Sequence, residues 1–336
     1  MGTLQYNGRV MTVTVRSFAK INVGLEIGAA RPDGFHALRT LYQTVDLFDL
    51  LHVETLPAAE IEIVCADPRV PCDASNTCHK VAERLLRAVG GGRGVRVTIE
   101  KRLPVQGGTG GGSSNAVAAL FAMEKALGVE LSGRERLRIA AEVGSDLPLF
   151  LLGGLTLGLG RGEEVYPLPE LPALPCVLVT PPVAVSTPRA FRDWDALQAK
   201  EMAELTPSAP SATISRFGDS LFEWLSHKIL SGVPAECGDR AGTLLLDLVR
   251  TGIANDFERV VFPQYPELRE GKRLLELSGA GYASLSGSGS TLYGLYATPA
   301  AAEEAAGQLR AKGLAVLVTA TLPRQEYWRR LFVEAS

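Results

Sequence analysis

The chain has 336 residues, 46% of them hydrophobic and 21% charged, with a formal net charge of −3. That length supports two domains with cores of their own, and so weak a charge gives no reason to expect a nucleic-acid surface or an anionic-membrane partner. No apolar run approaches the roughly 20 residues of a spanning helix, and residues 1–16 carry no secretory leader pattern, so a cytoplasmic location is expected. The cysteines (Cys65, Cys72, Cys78, Cys176, Cys237) form no Cys-x-x-Cys pair and do not cluster with the histidines. Reduced thiols are therefore expected, with neither disulfides nor a zinc site.

In chain order, Met11 to Arg16 alternates in polarity and reads as a strand. At its end stands Lys20, within Ser17-Phe18-Ala19-Lys20-Ile21-Asn22-Val23. A lysine among small and apolar residues is a candidate positive charge, able to hold a carboxylate ionised or to ease the loss of a hydroxyl proton. A lone strand lysine is equally well a snorkelling surface residue. Arg31-Pro-Asp-Gly-Phe35-His36 is a turn that sets an aromatic ring beside an imidazole, which suits a flat base, or a surface turn with one packed Phe. Leu51 to Thr55, Ile61 to Val64 and Val95 to Ile99 are short strands. Asn76 to Val89 carries Val81, Leu85 and Val89 at helical spacing.

Lys101-Arg-Leu-Pro104-Val-Gln106 then leads into Gly107-Gly-Thr109-Gly-Gly-Gly112-Ser113-Ser114-Asn115. Glycines at this density predict a loop and neither strand nor helix. The helix is expected from Ser113, the candidate N-cap, to about Leu127, with Ala116, Leu120, Met123 and Leu127 on its core face. A glycine loop feeding a helix N-terminus gathers free amides and the positive end of the dipole, which is how a phosphate is held. The loop ends in neither the Gly-Lys-Ser/Thr of a Walker loop nor the dinucleotide spacing Gly-x-Gly-x-x-Gly.

Ser132-Gly-Arg-Glu135 has capping-box spacing and predicts a helix that ends at Gly144. Asp146 follows in a Gly144-Ser-Asp-Leu-Pro148 turn, with a hydrophobic strand expected next. It is a candidate carboxylate for accepting a hydroxyl proton in phosphoryl transfer, or else a helix N-cap or turn former. The Pro-rich stretch Tyr166 to Pro175 suggests a division into domains at 1–172 and 173–336. Beyond it lie the strand Cys176 to Thr180, the segment Pro181 to Phe191, a Ser/Pro/Ala loop at 207–215, Asn255-Asp-Phe-Glu258 and a helix at 267–278. The strand-loop-strand Ala283 to Tyr296 contains Ser286-Gly-Ser-Gly-Ser290, and a helix at 300–311 and a strand at 314–319 follow. Hairpin-like connections among mixed elements argue α+β rather than a doubly wound sheet.

In this order, the Lys20 segment, the Pro104 to Asn115 loop and the Ser286-Gly-Ser-Gly loop resemble the three signature regions of the galactokinase, homoserine, mevalonate and phosphomevalonate (GHMP) kinase superfamily. Ala19-Lys-Ile-Asn22, Arg31 to His36, Leu103 to Asn115, Gly144 to Pro148 and Gly160-Arg-Gly-Glu163 are similar to the 4-diphosphocytidyl-2-C-methyl-D-erythritol kinase family within it. The resemblance spans about Thr12 to Tyr296. It implies a ribosomal-protein-like N-terminal α+β domain and a ferredoxin-like C-terminal one, with the active site in the cleft between them. It also implies ATP-dependent phosphorylation of the 2-hydroxyl of the cytidyl substrate in non-mevalonate isoprenoid synthesis.

By that resemblance Asp146 is the base and Lys20 its electrostatic partner. Asn76, Lys101, Pro104, Gly107, Gly108, Gly110, Gly111, Gly112, Ser113 and Ser114 attend ATP. Asn22, His36 and Thr187 hold the substrate, and Phe35 and Phe191 sandwich its base. Mg²⁺ is expected with ATP, carried mostly by phosphates and in no protein cage. A small-molecule substrate is implied, acted on by a monomer or weak homodimer. The chain departs from the family pattern at Phe35 (usually Tyr), at Gln106 and Thr109, at Ser145 (usually Ala), in extra residues near 199–252, and in the residues before Met11. The alternatives are another kinase of the superfamily, such as a mevalonate or homoserine kinase, or a silent nucleotide-binding regulator on the same fold.

Overall fold

The computed structural model describes residues 12–105, 107–204, 217–223 and 252–334. Gln106, Cys237, the expected loop at 207–215, most of the extra 199–252 segment and the question of Met11 lie outside them. The order is β1 (Val13–Ala30), β2 (His36–Leu56), β3 (Ile61–Cys65), α1 (Thr77–Ala88), β4 (Gly94–Glu100), α2 (Gly111–Leu127), α3 (Gly133–Val143), α4 (Leu147–Phe150), β5 (Leu155–Leu159), β6 (Glu164–Pro167) and β7 (Pro175–Val179). It continues with α5 (Thr187–Glu204), α6 (Glu258–Gln264), α7 (Pro266–Leu277), β8 (Tyr282–Leu285), β9 (Leu292–Leu295), α8 (Pro299–Ala311), β10 (Val316–Ala320) and α9 (Arg324–Leu331).

β1 and β2 form a long antiparallel hairpin closed at Arg31–Phe35, where Asp33 accepts from the Arg31 guanidinium and the Phe35 amide. The other edge of β2 carries β4 along its later half and β5 along its earlier half. β3 joins β4 in parallel, so their connection crosses over through α1. The second sheet runs β10-β7-β9-β8, all antiparallel.

Alternation along each strand divides the core. One apolar cluster lies between the first sheet and α1, α2, α3, α4 and α9, and includes Val15, Phe18, Leu85, Leu120 and Phe150. A second joins the two sheets through Ala19, Ile21, Val23, Leu41, Leu178 and Tyr293. A third packs α5 to α8 on the far side of the second sheet through Val177, Trp194, Val261 and Leu309. The result is α+β in layers, helix, sheet, sheet, helix. The chain end crosses back to the first sheet: Phe332 bridges Val15, and Thr321 bridges Val45.

Three local expectations are corrected. β1 does not end near Arg16 but runs 18 residues to Ala30, so Lys20 is mid-strand. Register shifts at Phe18/Ala19 and Asn22/Gly24 flank it, and such irregularities re-aim side chains. α2 begins at Gly111, two residues before the expected start, with Gly110 at φ +70° as its N-cap and no side-chain cap, so Ser113 belongs to the first turn. Tertiary contact sets that boundary: a Cβ on Gly110 would lie 3.0 Å from Lys20 Cγ and 3.0 Å from Phe150 Cζ. Asp146 is followed not by a strand but by the short helix α4, and although it stands at the N-cap its side chain makes no cap bond. The capping box is present, with Ser132 and Glu135 bonding each other's amides.

Candidate active site

The two sheets and α2 enclose a cleft of about 660 Å³. Every residue proposed above for the site lines it except Ser114, which is buried beneath the first turn of α2. There the Ser17 hydroxyl lies 2.8 Å from the Ser114 hydroxyl and donates to Asn115 Oδ1 at 2.5 Å, pinning the helix start to β1.

Period-two alternation puts Lys20 and Asn22 on one face of β1, and the register sets Asn22 opposite Tyr42 on β2. Lys20 is 3% exposed, and its ammonium donates to Asn22 Oδ1 at 2.6 Å and lies 3.4 Å from Asp146 Oδ2. Asn22 donates in turn to the Thr40 hydroxyl at 2.8 Å, and Thr40 to the Gly24 carbonyl at 2.9 Å. Among the described residues Asp146 is the only carboxylate lining the cleft, and its side chain is 35% exposed. Its other oxygen accepts the Tyr42 hydroxyl at 3.0 Å. Burial pushes the Tyr42 phenol well above its ordinary pKa, and the Asp146 charge adds to the effect, so the group stays a donor.

The glycine loop runs past this cluster. The Lys20 amide donates to the Thr109 carbonyl at 2.9 Å. The first-turn amides of Gly111, Gly112 and Ser113 have no intrahelical acceptor, and all three residues line the cleft. The second glycine loop interlocks with the first: the Thr291 amide donates to the Gly107 carbonyl at 3.1 Å, and the Ser286 hydroxyl to the Gly108 carbonyl at 2.9 Å. Asn255 holds this second loop by donating to the Leu285 and Gly287 carbonyls, each at 2.8 Å.

Lys101 and Asn76 line the cleft with their polar atoms already engaged. Lys101 pairs at 2.6 Å with fully buried Asp49, which also accepts the Arg102 and Leu103 amides. Asn76 caps α1 through the Cys78 amide and donates to the Pro71 carbonyl. At the other end of the cleft His36 Nε2 donates to Asp195 at 2.7 Å, and its ring stacks on Phe191 with centroids 4.8 Å apart. Phe35 is half exposed beneath the Arg161 guanidinium, so the stacking partner of Phe191 here is His36 and not Phe35. Thr187 shares a hydrogen bond of 2.7 Å with Ser288 of the second glycine loop.

The sequence reasoning missed Tyr42, Asn255 and Asp195. Asp195 carried a usable signal, because Thr187, Phe191 and Asp195 recur at four-residue spacing behind Pro188, which marks a helix face.

The family model for the GHMP kinases N terminal domain matches residues 76–154, and that for GHMP kinases C terminal matches 239–315. The chain is 35% identical over 302 residues to the 4-diphosphocytidyl-2-C-methyl-D-erythritol kinase of Acaryochloris marina, covering 88% of this chain and 91% of that protein. It is 37% identical to the protein of the same name from Solibacter usitatus over 84% of this chain and 80% of that one. The chain belongs to the 4-diphosphocytidyl-2-C-methyl-D-erythritol kinase family. A crystal structure of a 4-(cytidine 5'-diphospho)-2C-methyl-D-erythritol kinase superposes with a TM-score of 0.66 at 29% identity, covering 92% of this chain and 99% of that one. A homoserine kinase from Cytophaga hutchinsonii reaches the same TM-score at 20% identity over 97% of this chain and 99% of its own, a likeness of fold. The N-terminal match carries α1, β4, α2 and Asp146, and the C-terminal match carries Asn255 and the Ser286–Ser290 loop. Both matched regions contribute residues that line the cleft, Asp146 and the glycine loop from the first and Phe257, Gly287 and Ser288 from the second.

Proposed function

We propose that the chain transfers the γ-phosphoryl group of ATP to the 2-hydroxyl of 4-diphosphocytidyl-2-C-methyl-D-erythritol. The observation that carries this reading is the 3.4 Å pair of Lys20 with Asp146, the sole carboxylate lining the cleft among the described residues, beside a helix start rich in free amides. The amides of Gly111, Gly112 and Ser113 and the positive end of the α2 dipole receive the ATP phosphates. Asp146 takes the proton of the acceptor hydroxyl, and Lys20, its electrostatic partner, offsets charge on the transferred group. Asn22 holds the ammonium in place, so the transfer geometry is set before substrate arrives.

No three His, Cys, Asp or Glu side chains converge as a metal cage among the described residues. A divalent ion would arrive with ATP, carried mostly by its phosphate oxygens. Such an ion, Mg²⁺ in this reading, supplies charge neutralisation on the phosphates. The cytosine ring enters between Phe35 and the His36–Phe191 stack, where the imidazole edge reads its polar atoms. The four described cysteines are free thiols, which supports work in a reducing compartment, the cytoplasm. No helix among the described residues is long and apolar enough to cross a membrane.

The test is a coupled ADP-release assay with ATP and Mg²⁺, run on the cytidyl substrate beside mevalonate and homoserine. Turnover with the cytidyl compound alone is expected. Turnover with another alcohol overturns the base-binding roles of Phe35, His36 and Phe191. ATP binding without turnover on any of them favours a silent regulator.

A further inference from the structure

The Gly160-Arg161-Gly162-Glu163 turn makes no direct contribution to the transfer described above, yet it borders the reacting pair. It connects β5 to β6, and its Arg161 and Glu163 side chains pair with each other at 3.2 Å. Gly162 has φ +103°, and a Cβ there would stand 2.4 Å from the Tyr42 hydroxyl oxygen. On β5, a Cβ on Gly158 would stand 2.5 Å from Tyr42 Cε2. Any larger residue at either position would drive the ring out of its slot. Two glycines on adjoining segments thus clear one space, and that space holds a phenol whose hydroxyl ends 3.0 Å from Asp146 Oδ1.

We propose that Tyr42 is a positioning residue for Asp146: its hydroxyl occupies one carboxylate oxygen and turns the other, Oδ2, toward Lys20 and the acceptor hydroxyl. The proposal rests on the kinase reading above for its effect on turnover. The charged and titratable groups around the carboxylate are Lys20 from β1, Tyr42 from β2, and the Arg161–Glu163 pair from the β5–β6 turn. Lys20 also lies 5.6 Å from the centre of the Tyr42 ring, so the same side chain borders both members of the pair. Tyr42 is 2% exposed, and water does not readily replace its hydrogen bond. Asp146 stands in a turn before a short helix, with no cap bond to hold its side chain. The phenol supplies the restraint that the turn lacks, through a hydrogen bond that a carboxylate acceptor strengthens.

The test is Tyr42→Phe, which keeps the ring in its slot and removes the oxygen alone. With the cytidyl substrate, kcat is expected to fall about tenfold with KM for both substrates unchanged. A structural role alone would lower the melting temperature and leave kcat where it was, and that result overturns the proposal. A second readout needs no turnover: with ¹³C-labelled aspartate, the Asp146 carboxyl resonance should change its chemical shift in Tyr42→Phe, because its hydrogen-bond donor is gone. An unmoved resonance overturns the proposal whatever the activity. A moved resonance in a protein that phosphorylates none of the tested alcohols supports the Tyr42–Asp146 coupling and rejects the kinase reading instead.

Discussion

Replacing Asp146 by Asn separates the chemistry of the carboxylate from its packing. The carboxamide can still accept the Tyr42 hydroxyl, so the turn before α4 keeps its neighbour. The charge opposite Lys20 is lost. At 3.4 Å that attraction is about 5 kcal/mol for an effective dielectric constant near 20. With the Asp146 side chain 35% exposed, screening reduces the net contribution to roughly 1–2 kcal/mol. For a chain of this size that corresponds to a fall of about 1–3 degrees in melting temperature and leaves the protein folded. Loss of the proton acceptor itself removes roughly 10²–10⁴-fold in rate, and the misplaced ammonium adds to the deficit. The expected result is a kcat at least about 10³-fold lower, with the ATP dissociation constant changed only a few-fold, because the α2 amides are untouched. Steady-state ADP release at saturating substrate, with nucleotide binding measured by calorimetry, gives both numbers. Turnover within tenfold of the unaltered enzyme would refute the base assignment. A loss confined to ATP affinity would place Asp146 with the nucleotide instead of the acceptor.

Asp195→Ala leaves His36 without the carboxylate that holds its Nε2 proton. KM for the cytidyl substrate should rise several-fold with kcat within twofold, and an unchanged KM would separate His36 orientation from substrate binding. Asn255→Ala leaves the Leu285 and Gly287 carbonyls without their amide donor, at a cost of roughly 1–3 kcal/mol for each one left buried and unpaired. KM for ATP should rise and the melting temperature should fall together; a fall in melting temperature with ATP kinetics unchanged would show that the second glycine loop does not support the first. Burial pushes the Cys78 thiol up to about 12 and raises that of Cys176 further, whereas Cys72 is exposed. Iodoacetamide in mildly alkaline buffer should therefore label Cys72 and spare Cys78 and Cys176 until the protein unfolds. Peptide mapping that finds native Cys78 labelled as fast as Cys72 would contradict the packing of α1.

Local signals in the chain were sufficient wherever local physics decides. The capping box at Ser132 and Glu135, the β-branched strands read at 61–64 and 95–99, and the glycine loop ahead of α2 all follow from propensity and hydrogen bonding over a few residues. The start of α2 was misread by two residues because glycine propensity argues against Gly111 and Gly112, while the approach of Lys20 and Phe150 to Gly110 fixes the boundary from outside. The strand through Lys20 was cut short for a related reason. Lys20 and Asn22 interrupt an apolar run with buried polar groups, and in sequence alone such groups look like an exit to solvent. In the folded chain they are satisfied by each other and by Asp146, which is what a buried charge requires.

The same distinction separates the visible from the hidden members of the site. Lys20 and Asp146 stand out because a charge in apolar surroundings is costly unless it is used. Tyr42 does not, since an aromatic residue in a buried strand is ordinary core, and its meaning lies with Asp146, 104 residues away. Asp195 finds His36 across 159 residues in the same way. Asn255 acts at one further remove: it fixes the carbonyls of the second glycine loop, which in turn engages the Gly107 and Gly108 carbonyls of the first. The first glycine loop is therefore not a self-contained motif. The loop between β8 and β9 of the second sheet holds its Gly107 and Gly108 carbonyls, whereas Lys20, Asn22, Tyr42 and Asp146 meet within the first sheet and the turn before α4, and a sequence scanned for local motifs shows the parts of this site without the contacts that join them.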